Sequence, residues 1–157
     1  MLKLAVALYF FVAFSSLTAH AATFPTARAV DGDTILTTYR GGAVRVRLYG
    51  IDAPEKRQEY GPQATAYVDR AAARIARIEP ITTDRYGRMV AIVHMTDGST
   101  LEAMLLAAGL AWVYPQYCAL PVCADWQEIE ARARAQRIGL WAGEAVEPWR
   151  WRRRKGQ

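Results

Sequence analysis

The sequence predicts an α+β domain whose short strands close into a small antiparallel barrel, accompanied by three helices. Three observations carry that prediction. Residues 44–49 alternate strictly, with Val44, Val46 and Leu48 on one side and Arg45, Arg47 and Tyr49 on the other, which is the period of a half-buried strand. Turn-forming clusters at Asp31-Gly32-Asp33, Gly41-Gly42, Asp84-Arg85-Tyr86-Gly87 and Asp97-Gly98 punctuate other β-rich segments. Helical spacing then appears in three separate places, after the first strands rather than alternating with each of them.

Taken in order, residues 26–30 read as a strand, and residues 34–39 as a second, rich in β-branched and aromatic side chains. Gly41-Gly42 joins it to a third over residues 43–49. Gly50 and Pro54 break the pattern into a loop bearing Asp52 and Glu55, and residues 56–60 continue it as a polar, mobile stretch. Gly61-Pro62 opens a helix, proline being suited to the first helical position. Tyr67, Val68, Ala71, Ala72, Ile75 and Ile78 form its apolar face, with Arg70, Arg74 and Arg77 on another. Pro80 stops it, and a short strand over 78–82 overlaps that end. Residues 88–95 are a strand. Ser99 and Glu102 form a capping box for a second helix ending at Gly109. Residues 110–114 are extended and 115–123 are loop. Asp125 and Glu128 cap a third helix running to Gly139, with Trp126, Ile129 and Ala133 buried. From Leu140 onward the chain reads as irregular, then basic.

The N-terminus has its own logic. Lys3 precedes an apolar run over 4–14, and Ala19-His20-Ala21 is a small-x-small site. Residues 1–21 therefore read as a secretory signal peptide, too short in its apolar part to span a bilayer comfortably. The mature chain is expected to be exported, periplasmic or secreted, and without an integral membrane segment. It divides into a folded domain over 22–145 and a basic, Trp/Arg-rich tail over 146–157. The whole chain carries a formal net charge of +5. Arg150, Arg152, Arg153, Arg154 and Lys155 account for that excess, so the body is close to neutral. A basic tail can hold a polyanion by counterion release or simply remain solvated. Cys118 and Cys123, with four residues between them in an exported chain, predict a local disulfide. A zinc site would need two further soft ligands. Beyond residue 21 the only histidine is His94, which excludes mechanisms built on two histidines.

Asp33, Asp52 and Glu55 recur in turn or loop settings near strand ends, where each could be an ordinary turn residue. Hard carboxylate oxygens without histidine or cysteine partners suit calcium or magnesium. Arg47 projects from its strand, and Arg88 starts another directly after a tight turn. Two guanidiniums, two metal-capable acids and a spare carboxylate form a set suited to phosphodiester hydrolysis.

The segments VDGDTI (30–35), VRLYGIDAPE (46–55), YGPQA (60–64), DRYGR (84–88) and GLAWV (109–113) resemble, in order, those of the staphylococcal nuclease (thermonuclease) family. The resemblance spans residues 27–141. It implies a five-stranded antiparallel OB-fold barrel with three helices, and a calcium-dependent nuclease that cuts DNA and RNA to leave 3′-phosphate ends. It further implies calcium ligands at Asp33, Asp52 and the backbone carbonyl of Ala53. Glu55 falls at the position of the general base or water-orienting acid, and Arg47 and Arg88 at those of the arginines that bind the scissile phosphate. Arg45 is set aside as scaffold. Ala53 stands where the best-known member has threonine, a change a carbonyl ligand survives, and the loop after Glu55 is several residues shorter.

Arg85, Tyr86, Tyr114 and Tyr117 are candidates for substrate contact, the tyrosines as stacking surfaces for bases, with core packing the other use open to Tyr117. Trp149 and Trp151 could stack on bases or pack the tail onto the barrel. The competing function is a non-catalytic OB-fold module that binds single-stranded nucleic acid.

Overall fold

The computed structural model describes residues 26–155. The expected signal peptide and the first residues after it lie outside them. Strands β1 (Arg28–Ala29), β2 (Thr34–Tyr39) and β3 (Gly42–Leu48) form the predicted meander. The hairpin turn sits one residue earlier than Gly41-Gly42, on Arg40 and Gly41, both with positive φ (48° and 84°). That is the two-residue turn whose twist matches right-handed strands. The resulting register sets Thr34 opposite Arg47 and Tyr39 opposite Gly42. Val46 and Leu48 are buried while Arg45 is exposed, as the alternation requires.

Helix α1 (Gly61–Ala71) begins at the Gly-Pro signal but ends well short of Ile78. After one 3₁₀ turn, residues Ile75–Thr83 form β5. Ile75 and Ile78, three apart, keep a helical spacing. Both are buried in the strand because its register shifts between Ile75 and Arg77, and the β-branched run Ile78, Ile81, Thr82, Thr83 favours the strand. Pro80 survives there because β5 is an end strand and its register with the next strand shifts between Pro80 and Thr82. That next strand is β6 (Met89–Met95). The five strands lie in the order β1-β2-β3-β6-β5, antiparallel except for the parallel β3–β6 pair. The α+β class holds, but the sheet is open, with β1 and β5 at its ends, rather than the all-antiparallel closed barrel expected.

Ile51–Asp52 are not loop. They form a short strand, β4, paired antiparallel with β7 (Trp112–Val113), so that Asp52 faces Trp112 in register. Between the two lies helix α2 (Leu101–Ala107), capped by the Thr100 hydroxyl, which accepts from the Ala103 N–H at 3.2 Å. The Ser99–Glu102 capping box does not form, because Glu102 turns into the core instead. Helix α3 (Val122–Ala135) starts three residues before Asp125, and Trp126 and Ala133 are buried in it with Ile129 partly so. Cys118 and Cys123 are joined at an S–S distance of 2.04 Å.

The C-terminal segment departs most from expectation. Pro148–Lys155 is a fourth helix, α4, rather than an irregular tail. Proline at its first position and Glu147 just before it, whose carbonyl accepts from the Arg150 and Trp151 N–H groups, are a legible helix start. Among the described residues no helix is long and apolar enough to cross a membrane.

Candidate active site

The site grows from the β2–β3 pairing. Thr34 opposite Arg47 brings Asp33, one residue before β2, beside the Arg47 guanidinium. Arg47 Nη2 lies 3.2 Å from Asp33 Oδ2 and 3.0 Å from Asp52 Oδ1, and Nη1 donates to the Leu48 carbonyl at 2.9 Å. One guanidinium thus bridges the two acids. Asp33 also accepts from the Ala53 N–H at 2.8 Å and the Thr34 hydroxyl at 3.2 Å. It is thereby tied to the first residue of β2 and to the residue that follows Asp52. Asp31, half-buried beside it, accepts from the Asp33 N–H at 3.1 Å. Burial and the neighbouring Asp33 charge raise the Asp31 pKa above the ordinary aspartate value.

Asp52 is 1% exposed. Burial pushes its pKa up to about 6, with hydrogen bonding from Arg152 opposing and the Asp33 charge adding to the rise. The chain reaches it through Gly50, whose φ of 65° suits glycine. A Cβ there would stand 2.5 Å from Cys118 Sγ and 3.2 Å from the Trp126 ring. The disulfide and α3 therefore buttress the β3–β4 corner from behind. Tyr49 adds to this, its hydroxyl accepting from the Ala119 and Leu120 N–H groups at 2.9 and 3.2 Å.

Glu55 follows on a loop that is held rather than mobile. Gln58 is 5% exposed; its Oε1 accepts from the Glu55 N–H at 3.2 Å, and its Nε2 donates to the Val146 carbonyl. The Gln58 N–H donates to the Glu55 carbonyl at 2.8 Å. Gly61 packs so closely on that carbonyl that any Cβ would collide with it. Sequence reading took residues 56–60 as polar and mobile, and Gln58 is buried because its amide closes a turn that only the tertiary fold covers.

The largest omission is Arg152. Its Nη2 donates to Asp52 Oδ2 at 2.7 Å, its Nη1 to Glu55 Oε1 at 2.7 Å and to Asp52 Oδ1 at 3.3 Å. One turn earlier, Trp149 lies flat on Tyr114, ring centroids 4.9 Å apart and planes inclined by 8°. Tyr117 is 57% exposed and meets Tyr114 edge-on at 4.8 Å. The signal that could have revealed Arg152 was the Glu147-Pro148 helix start, which puts positions 149 and 152 on one face.

Among the described residues no hydrogen bond or ion pair joins Arg88 to the acidic cluster. Its Nε donates to Asp84 Oδ2 at 2.7 Å, and Asp84 Oδ1 accepts from the Arg88 and Tyr86 N–H groups at 2.9 Å each. The carboxylate of Asp84 is a turn anchor. Tyr86 is 69% exposed, with Arg85 and Arg88 over its ring at 4.9 and 5.5 Å. Tyr86 and Arg88 line a groove with Val44 and Arg45 of β3, so Arg45, set aside as scaffold in the sequence reading, faces the same groove as Arg88.

Among the described residues no three Asp, Glu, His or Cys side chains are gathered as a ready metal cage. The donor chemistry nevertheless fits a hard cation. Asp33 and Asp52 offer carboxylate oxygens, and the Ala53 carbonyl is adjacent in sequence. Two guanidiniums already stand as the positive charge that buried carboxylates demand.

Residues 45–143 match the family model described as staphylococcal nuclease homologue. This chain belongs to that family. An uncharacterized endonuclease of Escherichia coli O157:H7 is 42% identical over 130 residues, covering 82% of this chain and 83% of its own. A micrococcal nuclease of Shigella flexneri is 37% identical over 136 residues, covering 80% of this chain and 78% of its own. The match to the staphylococcal nuclease homologue model includes Arg47, Asp52, Glu55 and Arg88; Asp33 lies before it and α4 after it.

Proposed function

We propose that this protein is a calcium-dependent nuclease that hydrolyses phosphodiester bonds of DNA and RNA with little sequence preference, leaving 3′-phosphate ends. The observation that carries the reading is the convergence of Asp33, Arg47, Asp52 and Glu55 through contacts of 2.7–3.3 Å, two of them bridged by Arg47 and two by Arg152. Family membership and the names of its relatives support the same reading.

In this mechanism Asp33, Asp52 and the Ala53 carbonyl would hold calcium, which when bound would supply positive charge at the phosphate. Glu55, on the solvent side of the pair with 42% of its side chain exposed, takes a proton from the attacking water. The water oxygen bonds to phosphorus, the bond to the 5′-oxygen breaks, that oxygen takes a proton from solvent to leave as a hydroxyl, and Glu55 returns its proton to solvent. Arg47 and Arg88 donate hydrogen bonds to the phosphoryl oxygens, where negative charge builds. Arg47 reaches them by exchanging an acid partner for phosphate. Tyr86, Tyr114 and Tyr117 supply aromatic faces for bases, and Arg85 a further cation. Export by residues 1–21 would place the enzyme in the periplasm or medium.

One observation favours a second reading, a non-catalytic module that binds single-stranded nucleic acid. Arg152 neutralises both Asp52 and Glu55. The two readings part in a gel assay of the purified protein on DNA and RNA, with calcium or with EDTA. The nuclease reading expects cleavage that needs calcium and is lost in Glu55→Gln. Binding without cleavage under both conditions would select the module instead.

A further inference from the structure

We propose that α4 is a built-in competitor for this site. Arg152 holds the place of a cation between Asp52 and Glu55 while Trp149 covers the face of Tyr114, so a divalent ion and a nucleic-acid strand must displace the helix. The inference rests on the nuclease reading above, for which it supplies a regulation.

Three features support it. Arg152 straddles the two acids through three hydrogen bonds, the charge-assisted fork arrangement that binds carboxylates most strongly. It therefore satisfies both oxygens of Asp52, one of the residues offered to calcium. The second feature is the spacing. Trp149 and Arg152 are three residues apart on one helix face, so the aromatic platform and the acidic pair are covered by the same rigid element. A flat indole on Tyr114 is the contact a base would make, and the guanidinium supplies the countercharge an ion would supply.

The third feature is reversibility. Eight residues are too few to hold a helix without tertiary contacts. The Arg152 side chain is 44% exposed, so water reaches the ion pair and screens it. Arg153 and Arg154 are exposed on the same helix and offer an arriving polyanion its first contacts.

The test is calorimetric titration of calcium into the full mature chain at pH 8, comparing the native protein with Arg152→Ala and Trp149→Ala. Arg152→Ala is expected to tighten calcium binding by about tenfold or more, the scale of a charge-assisted hydrogen bond. Trp149→Ala should act in the same direction but less, because it loosens the helix without touching the acids. It also carries the test alone should Arg152→Ala fail to fold. Calcium affinity unchanged or weakened in the folded variants overturns the inference, as does absence of calcium binding in all three proteins. Cleavage assays on the same samples separate the two ideas. Tighter calcium binding in proteins that cut neither DNA nor RNA would keep the competitor and remove the nuclease. Normal cutting with calcium affinity indifferent to α4 would do the reverse.

Discussion

Asp52 and Glu102 are both carboxyl groups withdrawn from water, at 1% and 0% exposure, but they keep opposite company. Asp52 has a guanidinium on either side, Arg47 at 3.0 Å and Arg152 at 2.7 Å. Glu102 accepts from backbone N–H groups, among them that of Val93 at 3.2 and 3.4 Å to its two oxygens. Burial raises both. Asp52 reaches about 6, Glu102 about 8, and no hydrogen-bonded cation opposes the rise at Glu102. A buried carboxyl bonded to guanidiniums is a charge waiting for a ligand, whereas one bonded to backbone amides is a proton held in the core. Burial alone does not mark a functional acid; its partners do.

The sharpest way to break that contrast is Arg47→Ala. It removes a proposed phosphate ligand and leaves Asp33 and Asp52 with less positive charge. Cleavage should fall by roughly 10²–10³-fold, the cost of deleting one transition-state donor. Steady-state rates on a short oligonucleotide check this, and near-native activity would disconnect Arg47 from the chemistry.

Glu102 supplies the next test, in stability rather than activity. Its folded pKa, about 8, lies above its ordinary value of 4.5, so the native state holds the proton more tightly. The sign follows directly. The stabilisation is fully present below about pH 4.5 and is lost as pH rises through about 8, at roughly 1.4 kcal/mol per pH unit while the two states differ by one proton. Urea unfolding of the native protein at pH 5, 7 and 9 should show that decline, and Glu102→Gln should flatten it by a few kcal/mol across the window. Parallel profiles for the two proteins would show that Glu102 does not hold the proton.

Gln58 lies between the two extremes, a buried amide that serves an acid through the backbone. Gln58→Ala leaves the Glu55 N–H and the Val146 carbonyl short of a partner. The expected cost is about 1–2 kcal/mol of stability. If Gln58 positions Glu55, kcat falls while KM changes little, and Gln58→Glu does not restore it. Equal effects on both constants would leave it a purely structural residue.

The smallest expected effect on cleavage concerns the support behind Asp52. Replacing Cys118 and Cys123 together by serine opens a loop of only a few residues. It should cost about 2 kcal/mol of stability on the chain-entropy view. Cleavage of DNA at 25 °C should be unaffected. A large loss of activity would mean that the disulfide sets the position of the β3–β4 corner and does not merely brace it.

Much of the fold was legible because its elements declare themselves locally. The alternation from Val44 to Leu48, the glycine turn before it and the Gly-Pro start of α1 all describe structure that neighbouring residues enforce. The misreadings share a cause. Ile75 and Ile78 keep a helical spacing, and only a bulged pairing with β6 buries both in a strand. Ile51 and Asp52 are too few to show a period, and β7 makes them a strand. The arginine-rich end hid a helix start behind a composition typical of solvated chain.

Within the site, residue types together with the motifs that resemble the family singled out Asp33, Arg47, Asp52, Glu55 and Arg88, because phosphodiester chemistry needs hard oxygens and guanidiniums. What sequence could not supply was their company. Arg47 bridges Asp33 and Asp52 because the β2–β3 register puts Thr34 opposite it. Arg88 instead turns back to Asp84 within its own tight turn. Arg152 reaches Asp52 from 100 residues away only because Trp149 finds Tyr114 and docks the helix. Local chemistry is written in the order of residues, whereas a contact between distant residues exists only once packing has brought their surfaces together.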